Sequence, residues 1–214
     1  MYIELANVSK KIKGVQILND ISFRLESGKI YGFQGKNGSG KTMLMRAICG
    51  LIKIDSGVID INGEILHKDI QFPSSIGVLI ENPAFLNNFT GFNNLKLLAE
   101  VQGDVKDEDI SDALSAVGLD VYDTRTYKKY SLGMKQKLGI AAAIMGSPDI
   151  IILDEPINAI DENGVTKVRN ILQDIKRKGK IVVIACHDKE ELEQLSDEIL
   201  QIENGRMISN AKIK

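Results

Sequence analysis

Apolar positions alternate at both ends of the chain and follow a helical period through much of its middle, and the changes of period divide it into elements. Residues 2–8 and 17–25 read as two strands, separated by the basic run Lys10-Lys11-Ile12-Lys13-Gly14 and closed by the turn Glu26-Ser27-Gly28. The basic run is most simply a solvated hairpin tip. Residues 29–34 are a short run of β-formers and residues 43–49 a run of helix formers. Residues 54–63 hold two turns around a short alternating strand, and residues 76–80 form a buried-strand run that stops before Pro83. Two amphipathic helices follow between residues 92 and 118, broken at Gly103 and capped near Asp107; Ser131 then caps a third, through Met145. Strands at 149–154 and 181–186, helices at 164–178 and 190–195, and a hairpin around Asn204-Gly205 complete the chain. The pattern predicts an α/β fold on a parallel sheet, with a β-rich opening and a helical lobe inserted at about residues 84–146 of one domain spanning residues 1–214.

Between the third predicted strand and the helix after it stands Gly35-Lys36-Asn37-Gly38-Ser39-Gly40-Lys41-Thr42, which fits G-x-x-x-x-G-K-[ST] at every fixed position. Glycines let the backbone curl its N–H groups towards a polyphosphate, and the following helix adds a positive dipole end. In such a loop Lys41 reaches the β- and γ-phosphates and the Thr42 hydroxyl ligates Mg²⁺. Glu81, the pair Asp154-Glu155 and His187 fall at the carboxyl ends of predicted buried strands, where ligands of open parallel sheets sit. Taken singly, Asp154-Glu155 also reads as a helix-capping pair and His187 as a structural histidine; beside a P-loop the ligand-site reading is favoured. Phe85, Phe89 and Phe92 are half of the six phenylalanines, and read either as a small core or as the lining of a partner groove.

With 43% hydrophobic and 26% charged residues the chain is globular in composition, and a net charge of -2 disfavours nucleic acid as the main partner. Cys49 and Cys186 lie far apart inside apolar runs and suit reduced, buried thiols of a cytoplasmic protein. The charge at Glu4 within a strand-like start predicts no secretory leader. The longest apolar run, residues 181–186, is far short of the roughly 20 residues of a membrane helix, so any membrane role is expected to come through a partner.

The order of motifs resembles the nucleotide-binding subunits of ABC transporters along essentially the whole chain. The P-loop is followed by Ser131-Leu132-Gly133-Met134-Lys135-Gln136, a variant of the family's signature, then by the strand into Asp154-Glu155, by Asn158-Ala159-Ile160-Asp161, and by His187. The resemblance implies an ABC-type ATPase with ATP and Mg²⁺ as cofactors. It places the nucleotide on residues 35–42 with Met43, and Mg²⁺ on Thr42, Asp154 and Glu81. Glu155 becomes the general base, and His187 a hydrogen-bond partner of the γ-phosphate. A second copy is implied in head-to-tail arrangement, with its Ser131, Gly133 and Met134 closing over the nucleotide and Asp161 linking the two sites. A separate transmembrane permease would hold the pair at the cytoplasmic face of the membrane. Around Tyr130 to Gly139 and around Glu81 the wording is similar to exporters for bacitracin resistance and lantibiotic self-protection; an importer subunit and a non-transport ATPase are the alternatives. In departure from the family, Ile12 stands where an aromatic ring stacks on adenine, Glu81 where glutamine is usual, and Ile157 where threonine or serine is usual.

Overall fold

The structure, a computed structural model, describes residues 1–186 and 188–213. Strands β1 (Tyr2–Ile12) and β2 (Val15–Glu26) form a long antiparallel hairpin whose last pair is Ile12 with Val15. Its two-residue turn, Lys13-Gly14, has φ of 48° and 82°, the left-handed pair whose twist matches the flanking strands. So tight a turn lets Lys10, Lys11 and Ile12 stay paired, and only Lys13 and Gly14 of the basic run sit at the tip. Strands β4 (Ser56–Ile61) and β5 (Glu64–Ile65) extend this sheet in the order β2-β1-β4-β5.

The second sheet has six strands: β3 (Lys29–Gln34), β6 (Ile76–Leu79), β7 (Ile150–Asp154), β8 (Ile181–Ala185), β9 (Glu198–Glu203) and β10 (Arg206–Lys212), in the order β10-β9-β3-β8-β7-β6. Every pairing from β9 to β6 is parallel, and β10 is an antiparallel edge. Parallel strands covered on both faces read as continuous apolar runs, and β7 and β8 are buried at every position. Side-chain alternation divides them between two cores. Tyr31, Phe33, Ile150, Ile152, Ile181 and Val183 face the first sheet and helix α1 (Lys41–Ile48), and Ile30, Ile151, Leu153, Val182 and Ile184 face the other helices.

Those helices are α2 (Gly91–Gln102), α3 (Asp107–Ala116), α4 (Leu132–Ile144), α5 (Glu162–Arg177) and α6 (Lys189–Leu195). Thr90 caps α2 by accepting from the Asn93 N–H, and buried Asn94 ties the preceding loop down through the carbonyls of Leu86, Phe89 and Thr90. Helix α4 lies against β6 where side chains are missing: a Cβ on Gly77 would meet the Ala143 carbonyl oxygen, and one on Gly139 would meet Leu79 and Pro83. The phenylalanine cluster divides. Phe85 stacks edge-on against Tyr127 at 5.4 Å and Phe92 packs on the same core, whereas Phe89 is 41% exposed, in company with exposed Leu86, Leu97, Leu98 and Val101.

Cys49 and Cys186 are buried free thiols, and burial pushes Cys49 up to about 12. Among the described residues, no helix is long and apolar enough to cross a membrane.

Candidate functional site

Because β3, β7 and β8 run parallel, their carboxyl ends share one rim, and the glycine-rich loop leaves β3 there to enter α1. Gly38 and Gly40 adopt φ of 78° and 110°, which side chains resist, and Gly40 is the cap of α1. Gly35 is required for a different reason: a Cβ there would lie 2.2 Å from the Ile202 carbonyl oxygen. The loop is braced from within by the Ser39 N–H donating to Lys36 O at 3.1 Å, and from the β9–β10 turn by the Gly205 N–H donating to Ser39 O at 2.8 Å. Lys41 is buried, and its ammonium folds back to donate to the carbonyls of Gly35 at 2.6 Å and Lys36 at 3.1 Å. The Ser39 hydroxyl is buried with no partner. A loop that curls its backbone inward, keeps a cation on its own carbonyls and holds an orphan hydroxyl fits an anionic ligand rich in acceptor oxygens.

Asp154 Oδ2, at the end of β7, accepts from the Thr42 Oγ1 of α1 at 2.8 Å, which sets two hard oxygen donors side by side. That pair fits Mg²⁺, which needs one or two protein oxygens when phosphates and waters complete its shell. Among the described residues no cluster of three or more His, Cys, Asp or Glu side chains makes a metal cage of its own. Glu155 follows directly, in the left-handed region at φ 51°, a conformation that costs a non-glycine residue about 1–3 kcal/mol. A cavity of about 310 Å³ joins these parts, lined by Ile17, Asn37, Gly38, Gly40, Lys41, Thr42, Met43, Asp154 and Glu155.

Several residues named from the sequence lie elsewhere. Ile12 is 38% exposed at the end of β1 and does not line the cavity. Glu81 stands beyond β6 at φ 62°, with its carboxylate accepting from Arg46 Nη2 of α1 at 2.7 Å, outside the cavity lining. Ser131 caps α4, accepting from the Met134 N–H at 3.2 Å, and neither it, Gly133, Met134 nor Asp161 lines the cavity of the same chain. Asp161 precedes α5 and accepts from Lys137 Nζ at 2.8 Å, which holds its carboxyl below the usual carboxylate range. His187 lies outside the described residues. Two residues reach the site that the sequence reading gave no role there: Ile17, and Gln136, named only within the signature. Ile17 reaches the cavity from the start of β2, and its apolar character gave no sign of that. Gln136 donates through Nε2 to the Glu155 carbonyl at 2.8 Å, a contact between segments 19 residues apart.

A curled loop, a tethered lysine and an oxygen pair formed between α1 and the end of β7 make this a phosphate site, and they place the chain among P-loop nucleotide-binding proteins. The family described as ABC transporter matches residues 18–158. The chain is 48% identical to an uncharacterised ABC transporter ATP-binding protein, YybJ of Bacillus subtilis, over 99% of this chain and 97% of that protein. It is 37% identical to the bacitracin transport ATP-binding protein BcrA of Enterococcus faecalis (99% of this chain, 69% of that one). With the lantibiotic transport ATP-binding protein SrtF of Streptococcus pyogenes the identity is 36% (96% and 89%). In fold it superposes on a dimeric bacterial ABC transporter cassette with a TM-score of 0.90 at 22% identity, covering 99% of both chains. This protein belongs to the ABC transporter family, as an ATP-binding and ATP-hydrolysing subunit.

Proposed function

We propose that the chain is the ATPase of a bacterial exporter of antimicrobial peptides or related drugs, working as a head-to-tail pair on the cytoplasmic side of a separate membrane permease. The observation that carries the ATPase site is the Thr42–Asp154 contact at the rim of the P-loop cavity with Glu155 next to it. The cargo and the pairing rest on the bacitracin and lantibiotic relatives and on the dimeric cassettes of the same fold. In this reading residues 1–214 act as one ATPase unit, with residues 84–146 as its inserted helical lobe.

Lys41 leaves the carbonyls of Gly35 and Lys36 for the β- and γ-phosphates, and residues 35–42 with Met43 enclose them. Thr42 and Asp154 would hold Mg²⁺, which would supply charge neutralisation on the phosphates. Glu155 orients the attacking water and takes its proton; the water oxygen bonds to the γ-phosphorus as the bond to the bridging oxygen breaks, leaving ADP and phosphate. The partner's signature residues, Ser131, Gly133 and Met134 in the numbering of each chain, close over the γ-phosphate at the N-terminus of α4, with Asp161 at the interface and His187 on the γ-phosphate. Glu81, released from Arg46, adds a second carboxylate near the metal, and with the 85–92 loop carries closure to the permease.

The cargo is tested by disrupting the gene. Sensitivity to bacitracin or a lantibiotic should rise, and unchanged sensitivity with loss of a solute's uptake would favour an importer. The exposed apolar strip gives a second expectation. Phe89→Ser combined with Leu97→Ser should abolish co-purification with the permease while basal hydrolysis and melting temperature stay at wild-type values, because both side chains are partly exposed. Unfolding of this variant would assign the strip to the core.

The base is expected to meet aliphatic side chains only. Without an aromatic ring the extra stacking of about 0.5–1.5 kcal/mol is missing, which corresponds to roughly 2- to 13-fold in affinity. ATP and GTP should therefore bind similarly, and Ile12→Tyr should tighten ATP binding in calorimetric titration without changing turnover at saturation. Unchanged affinity would move the base away from Ile12, towards Ile17.

A further inference from the structure

Glu155 stands where its backbone is strained, and the residues that hold it there belong to two different elements. Its N–H donates to the Ala185 carbonyl of β8 at 2.9 Å; its own carbonyl accepts from Gln136 Nε2 at 2.8 Å and from the Asn158 N–H at 3.3 Å. Gln136 is among the few buried polar side chains of the described residues, so its amide has been taken out of water to make this bond. It does not act alone. On α4, Gly133, Gln136 and Lys137 are spaced i, i+3, i+4 and share one face, and all three meet the segment from Glu155 to Asp161. A Cβ on Gly133 would lie 2.6 Å from the Ala159 carbonyl oxygen, and Lys137 Nζ reaches Asp161 Oδ1 at 2.8 Å. Helix α4 thus carries its capped N-terminus at one end of this face and the clasp on Glu155 one turn along.

We infer that Gln136 is a positioning residue, through which the helix that receives a second chain's nucleotide sets the backbone of the water-activating glutamate in its own chain. The inference rests on the roles proposed above for Glu155 and for the N-terminus of α4. When a partner's γ-phosphate seats against Ser131, α4 is fixed, and with it the carbonyl of Glu155; one nucleotide then readies the residue that cleaves the other. A glutamine suits the task because its amide donates to a carbonyl without bringing a charge beside the carboxylate it positions.

The test compares Gln136→Met, which keeps length and loses the donor, with Gln136→Glu, which sets an acceptor against an acceptor. Both are made in the full chain, alone and combined with Ser131→Ala. kcat should fall about 5- to 100-fold in the methionine variant and further in the glutamate variant, while the Kd of a fluorescent MgATP analogue and the melting temperature stay close to wild type. The cost of Ser131→Ala should be smaller in the Gln136→Met background than in the wild type, since the connection is already cut. A hydrolysing wild type whose variants turn over within a factor of two overturns the role of Gln136 alone. So do losses in kcat that track lost folding, or losses from Ser131 and Gln136 that simply multiply. A wild type that releases no phosphate, with or without its permease, overturns the reading of Glu155 on which this rests.

Discussion

Glu155→Gln is expected to slow steady-state ATP hydrolysis by about 10²- to 10⁴-fold and to leave MgATP binding intact. The substitution exchanges one carboxylate oxygen for an amide nitrogen of equal size. The backbone bonds to Ala185 and Gln136 do not involve the side chain, and the Thr42–Asp154 pair is untouched. What is lost, in the proposed mechanism, is the group that accepts a proton from water beside the γ-phosphate. Binding, which draws on the P-loop and Lys41, should persist, and the uncleaved nucleotide should accumulate between the two chains. Phosphate release within a factor of two of wild type would remove Glu155 from the role of base.

The second large effect is structural. Gly77→Ala should lower the melting temperature by roughly 2–12 °C, from an overpacking cost of about 1–3 kcal/mol in a chain of this size. The new Cβ would stand 1.6 Å from the Ala143 carbonyl oxygen, 2.7 Å from its carbon and 2.9 Å from Pro148. The obstacle is backbone at the end of α4, so no rotamer change relieves it. The helix must shift off β6, and because α4 carries Ser131 and Gln136, hydrolysis should fall together with stability. A melting temperature within 1 °C of wild type would mean that α4 does not pack on β6 as described.

Local chemistry accounts for what was legible in the sequence. The P-loop, the cap at Ser131 and the unbroken apolar runs of β7 and β8 each follow from a few neighbouring residues, and their positions in the fold agree with the sequence reading. Strand order was not legible: β3 lies between β8 and β9 because of crossovers, and nothing within 29–34 encodes its neighbours. The same limit applies to Gln136 and Ile17, whose partners in the fold are distant in sequence. Glu81 shows a third kind of gap. A carboxylate at a strand end suggests a ligand site, yet Arg46, the cation it meets, comes from α1 some 35 positions earlier. The phenylalanine cluster was ambiguous for a related reason, since Phe85 and Phe92 find Tyr127 and the helical core only once α2 to α4 are assembled.

The central claim is that each ATP is held between the P-loop of one chain and the α4 N-terminus of another. Light-scattering mass of the Glu155→Gln chain, measured with and without MgATP, tests it most directly. The expected result is the 23.6 kDa of a single chain without nucleotide and twice that mass with MgATP, reverting when Lys41→Ala is added. A single-chain mass in the presence of saturating, demonstrably bound MgATP would contradict it.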